Sequence, residues 1–332
     1  MSGNGKPGAD APTPAASGRQ RIVEALTGAL AAGRPAQSVL LTGQPWVGKR
    51  ATALHLARWL FCDAHEGSHP CGHCRGCRLV TEEAHPDLCV LAAPLRIDAV
   101  RELQRRLALA PLEARWHIAV LPDIERASPG AANSLLKSLE EPPPDALLVL
   151  TAADPAAVLP TVRSRCQCFT VRPLSVEDCA AALERGMGAA PEEARRLARI
   201  AGGRLAWAER AVREPSVLED RTLWLERLEE AVRGSRPQRL ALADAWGRQR
   251  DALVTGLELW RGWWRDVLLL QHGLEARVVN VDRLDALRAQ AARSSVASVV
   301  GALRALDGAS SRLTGNASPD LTAAVALLEL PT

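Results

Sequence analysis

Tyrosine is absent from the 332-residue sequence, and aromatic side chains make up only 3% of it, nine of them tryptophan. Ala, Leu and Arg are plentiful, a compositional bias toward helix that carries no functional signal of its own. No uncharged apolar run of about eighteen residues occurs, which excludes a membrane-spanning helix. The first 18 residues are rich in Gly, Pro, Ala and Ser and lack the apolar centre of an export signal. They read as a disordered tail. The default expectation is therefore a cytoplasmic protein, where the eight cysteines would stay reduced or bind metal instead of forming disulfides. A large charge excess is missing too. A net charge of +3 is too small for a chain that wraps nucleic acid unaided. Binding through a local basic face or within an assembly stays open.

What is present is 47% hydrophobic residues, enough for real cores in about two or three domains. A predicted helix from Arg19 to Ala32 ends at Gly33-Arg34-Pro35. The buried-strand run Ser38-Val39-Leu40-Leu41 then leads into Gly43-Gln44-Pro45-Trp46-Val47-Gly48-Lys49-Arg50 and a second helix. This octapeptide is nearly the phosphate-binding loop G-x-x-x-x-G-K-[ST], in the strand-loop-helix setting the motif requires. Gly43 and Gly48 let backbone amides curl around a phosphate, and Lys49 could add a full positive charge. The last position fails: Arg50 stands where a hydroxyl would ligate Mg²⁺. The loop therefore reads first as scaffolding. Nucleotide binding without hydrolysis is the alternative.

Cys62, Cys71, Cys74 and Cys77 follow, spaced C-x8-C-x2-C-x2-C. Four thiolates so placed can close a tetrahedral, structural Zn²⁺ site across a module of residues 62–77, and Gly72 and Gly76 suit the turns between them. His69 and His73 are alternative fourth ligands. Cys62 is preferred because it completes an all-sulfur site at a helix end. Cys89, Cys166, Cys168 and Cys179 lack such spacing and read as small buried side chains.

Further strands are expected at Asp87–Ala93, His117–Leu121 and Ala146–Ala152. Helices are expected from Arg96 to about Leu109 and over Asn133–Glu141, the latter followed by Pro142-Pro143-Pro144. Thr151 lies at the end of the last strand, where it reads equally as an ordinary strand-end threonine and as a polar residue placed to meet a phosphate. A basic turn follows, Arg163-Ser164-Arg165-Cys166. Beyond Arg172-Pro173 the pattern is helical only. Ser175 caps the first of these helices, and breaks fall at Gly234-Ser235-Arg236-Pro237, around Asn280 and at Gly315-Asn316. Trp260, Trp263 and Trp264 lie at helical spacing, which favours packing over base stacking.

The near-P-loop, the inserted cysteine set, the Asn133–Glu141 helix and the Ser164-Arg165-Cys166 turn together resemble the AAA+ clamp-loader family over about residues 19–330. The resemblance implies an α/β, RecA-like parallel-sheet domain with a zinc module over residues 19–172. An all-α lid over 173–213 and an all-α collar over 214–332 would complete the chain. In register with the family, Pro122 falls where a working ATPase has its Mg²⁺-holding Asp, and Asp123 where it has the Glu that orients water. Arg50 and Pro122 thus both fail at the metal. Arg165 is implied to reach the ATP site of a neighbouring subunit, acting in trans. Arg204 falls where working relatives carry a second arginine sensor. The implied partners are other clamp-loader subunits, with the sliding clamp and primed DNA met through the complex. A working motor ATPase is the rival expectation.

Overall fold

The structure is a computed structural model that describes residues 16–31, 37–64, 69–246, 250–314 and 317–331. Most of the expected tail, the Gly33-Arg34-Pro35 stop and the Gly315-Asn316 break lie outside the described residues. In chain order the elements are α1 (Ala16–Ala31), β1 (Ser38–Thr42), α2 (Lys49–Leu60), α3 (Arg75–Thr81), β2 (Leu88–Val90), α4 (Ile97–Leu107) and β3 (His117–Leu121). They continue with α5 (Pro129–Glu140), β4 (Ala146–Ala152), α6 (Pro160–Arg163), β5 (Gln167–Thr170), α7 (Val176–Met187), α8 (Pro191–Ile200) and α9 (Leu205–Arg213). The remainder is α10 (Ser216–Arg233), α11 (Arg236–Trp246), α12 (Arg250–Gln271), α13 (Leu284–Arg293), α14 (Val296–Thr314) and α15 (Pro319–Leu328).

The five strands form one sheet in the order β2-β3-β4-β1-β5, and every pairing is parallel. Parallel neighbours need crossover helices, so both faces are covered and the strands β1, β3 and β4 are buried throughout. Alternation then divides their side chains between two cores. Val39, Leu41, Ile118, Val120, Leu147 and Val149 pack with α1, α2 and α3. Leu40, Ala119, Leu121, Leu148 and Leu150 pack with α4, α5 and α6. β1 and β4 therefore sit side by side at the centre, and the turns leaving their C-terminal ends open at one edge of the sheet.

Two departures from the sequence expectation concern strands. The strand expected over Asp87–Ala93 pairs only over Leu88–Val90. β5 is an unanticipated edge strand with a largely exposed pattern, so no apolar run announces it. Cys168, on that strand, is exposed and not the small buried side chain expected from its residue type.

By its internal contacts the chain forms two compact units, one running to Gly186 with Gly203–Trp207, the other Met187–Gly202 with the chain from Ala208 onward. The second is all-helical among its described residues and has its own core. Trp260, Trp263 and Trp264 are buried in it, as their spacing predicts, and the Trp260 indole donates to the Trp224 carbonyl at 2.7 Å. The break around Asn280 is held by a buried polar network. Arg221 donates to both Asp282 oxygens and to Asn280 Oδ1, while Asp266 accepts from the backbone of Val279 and Asn280.

Candidate functional site

The Gly43–Arg50 loop leaves β1 at the sheet's open edge. Gly43 donates to the Ala152 carbonyl at 3.2 Å, tying the loop to the end of β4. Its φ of +144°, and the 2.3 Å that would separate an added Cβ from the Val171 carbonyl, leave room for glycine alone. Gly48 (φ +98°) turns the chain into α2, and Trp46 adopts φ +65°, a strained conformation for a large side chain that stands half-exposed on the loop. Lys49 folds back on the loop itself: Nζ donates to the carbonyls of Gly43 at 2.6 Å and Gln44 at 3.1 Å. Arg50 pairs with Glu83. Its guanidinium has only donors to offer and no lone pair for a cation.

Across the edge, β3 ends at Leu121 and Pro122 follows. Asp123 is left-handed (φ +46°), and its N–H donates to Thr151 Oγ1 at 3.2 Å. Thr151 is buried, and its hydroxyl oxygen is the acceptor that holds this turn. Glu125, which no motif in the sequence assigns to the site, is brought into it. Its Oε1 accepts from Ala153 N–H at 2.7 Å, just past β4, while Oε2 is buried with no partner. Burial pushes this carboxyl above the usual carboxylate range. The Asp123 charge adds to the rise, and the Ala153 N–H and the Lys49 ammonium oppose it. The edge where a phosphate and its metal would sit thus carries Arg50, Pro122 and a desolvated acid.

Arg165 lies at the far end of the same stretch, on the turn between α6 and β5. Its Nε donates to Glu140 Oε1 at 2.7 Å and its Nη2 to the same oxygen, while Nη1 donates to the Thr161 carbonyl at 2.8 Å. About a third of the side chain remains exposed. Arg163, which is exposed, donates to the Pro155 carbonyl at 3.3 Å. Arg204 stacks over Trp207 with its guanidinium carbon 6.0 Å from the ring centre.

The cysteine module is assembled between α2 and α3. The sulfurs of Cys62, Cys71, Cys74 and Cys77 lie within 4.8 Å of one another. A tetrahedral ion with bonds of about 2.3 Å to sulfur has edges near ~3.8 Å, so the set needs only a small contraction to close on a metal. The backbone N–H groups of Cys71, Cys74 and Cys77 each point at the preceding ligand's sulfur at 3.3–3.4 Å. N–H donors from Cys74 and His73 lower the Cys71 thiol to about 6, whereas burial raises those of Cys62 and Cys77. Both alternative ligands point elsewhere: His69 Nε2 lies 2.9 Å from the Trp59 carbonyl, and His73 Nδ1 lies 2.8 Å from that of Cys71. The four cysteines could hold a metal ion.

The module is fixed to the sheet unit at two points. Gly76 approaches Phe61 so closely that an added Cβ would lie 1.9 Å from its carbonyl oxygen. Arg75 pairs with Glu113, whose backbone, with those of Leu112 and Ala114, donates to the buried Asp87 carboxylate at 2.6–2.8 Å.

Comparison with known proteins agrees with this layout. Residues 18–175 match the family model described as DNA polymerase III, delta subunit. DNA polymerase III subunit delta-prime of Bacillus subtilis is 28% identical over 305 residues, 89% of this chain and 91% of that one. The delta-prime subunit of Escherichia coli is 36% identical over 155 residues, 45% of this chain and 46% of that one. DNA polymerase III subunit tau of Escherichia coli is 32% identical over 169 residues, half of this chain and 26% of that one.

A five-stranded parallel sheet with a P-loop-like turn after a central strand, an inserted cysteine module and a helical remainder are the features that carry the resemblance to the AAA+ class. Over residues 18–175 the chain matches a DNA polymerase III subunit family, and over 89% of its length it is similar to a subunit of that enzyme. Within the family its likeness is to the delta-prime subunit of DNA polymerase III.

Proposed function

We propose that this chain is a delta-prime subunit of a DNA polymerase III clamp loader that does not hydrolyse ATP itself and completes the ATP site of an adjacent motor subunit with Arg165. The observation that carries the reading is a contrast. At Arg50 and Pro122 the two positions that would hold the metal carry residues without a ligand atom for it, and at Arg165 the chain keeps a part-exposed guanidinium on a turn held by backbone and side-chain hydrogen bonds. Such a group, brought from a neighbour, stabilises charge that develops during phosphoryl transfer. In this reading Gly43, Gly48 and Lys49 form a degenerate loop whose main work is to shape the edge of the sheet. Cys62, Cys71, Cys74 and Cys77 hold a structural Zn²⁺, and four protein ligands leave no open position for catalysis.

The same reading divides the chain into the sheet domain with its zinc module (19–172), a lid (173–213) and a collar (214–332) that joins tau/gamma and delta subunits. It places the protein in the cytoplasm, meeting the sliding clamp and primed DNA through the complex. The experiment is Arg165→Ala in a reconstituted complex. DNA-dependent ATPase and clamp loading should both fall, and unchanged values would remove the role. A tau/gamma-like motor is the rival. ATP turnover by the isolated chain at roughly 1 s⁻¹ or faster would favour it.

A further inference from the structure

The Arg165 side chain does not hang free in the chain on its own. Glu140, the last residue of α5, takes Nε–H at 2.7 Å and an Nη2–H on a single oxygen. Thr161 takes an Nη1–H through its carbonyl at 2.8 Å, and Ser164 Oγ stands 3.4 Å from the same nitrogen. The backbone beneath is also fixed, since Arg165 N–H donates to the Val162 carbonyl at 3.1 Å. A guanidinium has five N–H groups in a rigid planar fork. These contacts engage both sides of the fork and leave an outer Nη2–H for an incoming acceptor.

We infer that Glu140 is a positioning residue for Arg165, holding the guanidinium in the orientation in which it meets the phosphate of the neighbouring site. This rests on the trans role given to Arg165 above. Exposed ion pairs contribute little to stability, and both partners here are substantially exposed, Arg165 at 32% and Glu140 at 48%. The pair's value therefore lies in orientation. A free arginine must give up several rotamers when it docks, and a docked one has already done so. The carboxylate touches Nε and Nη2 on one oxygen, so it can stay in place while the remaining Nη2–H reaches outward. Anchoring within one chain also means that the geometry is set before the neighbour arrives. Nothing in the helix periodicity singles out Glu140, because its partner lies 25 residues further along.

The test uses the reconstituted complex with Glu140→Gln, Glu140→Asp, Arg165→Ala and the Glu140→Gln/Arg165→Ala pair. Glu140→Gln should lower kcat at the site served by Arg165 by roughly tenfold, the cost of ordering one long side chain. KM for ATP should stay within about twofold, because the contact belongs to the transition state. Glu140→Asp should recover part of the loss. In the Arg165→Ala background, Glu140→Gln should have no further effect. Assembly, followed by gel filtration, should be the same for all four. An unchanged or increased kcat for Glu140→Gln, beside a lowered one for Arg165→Ala, would overturn this inference and leave the role of Arg165 standing. Additive losses would likewise overturn it. An unchanged kcat for Arg165→Ala would remove both.

Discussion

A carboxylate shut away from water needs a reason to stay ionised, and Asp87 has three. Burial alone would raise its pKa. The N–H groups of Leu112, Ala114 and Glu113 outweigh that and hold it below the usual range, with His117 adding to the effect at 3.7 Å. A group whose folded pKa is depressed stabilises the fold above its unfolded value, near ~4, and loses that contribution as pH falls through the lower folded value. Asp87→Asn, which turns an NH₂ toward backbone donors, should cost about 2 kcal/mol at neutral pH. Thermal melts of both forms should show the gap closing as pH drops below about 4, and a gap constant down to that range and beyond would contradict this account. Residue-scale features of this kind were the least legible in the sequence. Lys49 and Arg165 announce themselves through motifs. Glu125 and Glu140 do not, because each meets its partner across 28 or 25 residues of chain and only after the sheet has formed. Thr151 was legible as a strand end but not as the acceptor for Asp123.

Among the elements, strands with continuous apolar runs were read almost to the residue: β1 extends the expected Ser38–Leu41 by Thr42, and β3 and β4 coincide with His117–Leu121 and Ala146–Ala152. Their burial on both faces makes composition sufficient. The edge strand β5 and the single-turn α6 carry no such run, and so went unseen. The cysteine module was legible because ligand spacing is local. For it, one equivalent of zinc per chain is expected by elemental analysis, and Cys74→Ser should release it. Gly76→Ala should weaken zinc retention as well, since its Cβ would strike the Phe61 carbonyl. Full retention in Gly76→Ala would show that α3 can shift away without disturbing the ligands.

In the C-terminal unit Arg239 plays an equivalent joining part. Buried to 2%, it donates to the carbonyls of Ala231, Val232 and Gly234 at the end of α10, and to Leu327 and Leu330 at and just beyond the end of α15. Helix C-termini present unpaired carbonyls and partial negative charge, so two of them can accommodate one guanidinium without a carboxylate. Arg239→Met should cost roughly 3 kcal/mol or more by leaving those carbonyls dry. Arg239→Lys should recover little, because one ammonium cannot span both helix ends. A lysine variant that melted with the parent would disprove the need for the fork.

At the scale of the whole molecule, the sequence separated an α/β part from a helical one, because the shift from apolar strand runs to helix-only patterning after Arg172 is a change of period. Contacts group the chain differently in detail, with Met187–Gly202 joined to the later helices and Gly202 lying against the Val279 side chain, a grouping that no local pattern records. The loss of metal positions is likewise distributed, Arg50 on one turn and Pro122 on another. Neither Arg50→Thr nor Pro122→Asp alone is expected to give Mg²⁺-dependent ATPase in the isolated chain. Turnover from either single change would mean that the remaining side chains already hold the metal.

The five bonds from Arg239 also set a length. Leu327 and Leu330 accept from it through their backbone while their side chains are buried in the core, so the chain must reach that far. Shortening the protein one residue at a time from Thr332 should be tolerated until the Leu330 carbonyl is removed. From that point stability should fall, because one of the five acceptors of the buried guanidinium and the buried Leu330 side chain go together. The guanidinium works as a clasp that ties the backbone at Leu327 and Leu330 to the end of α10.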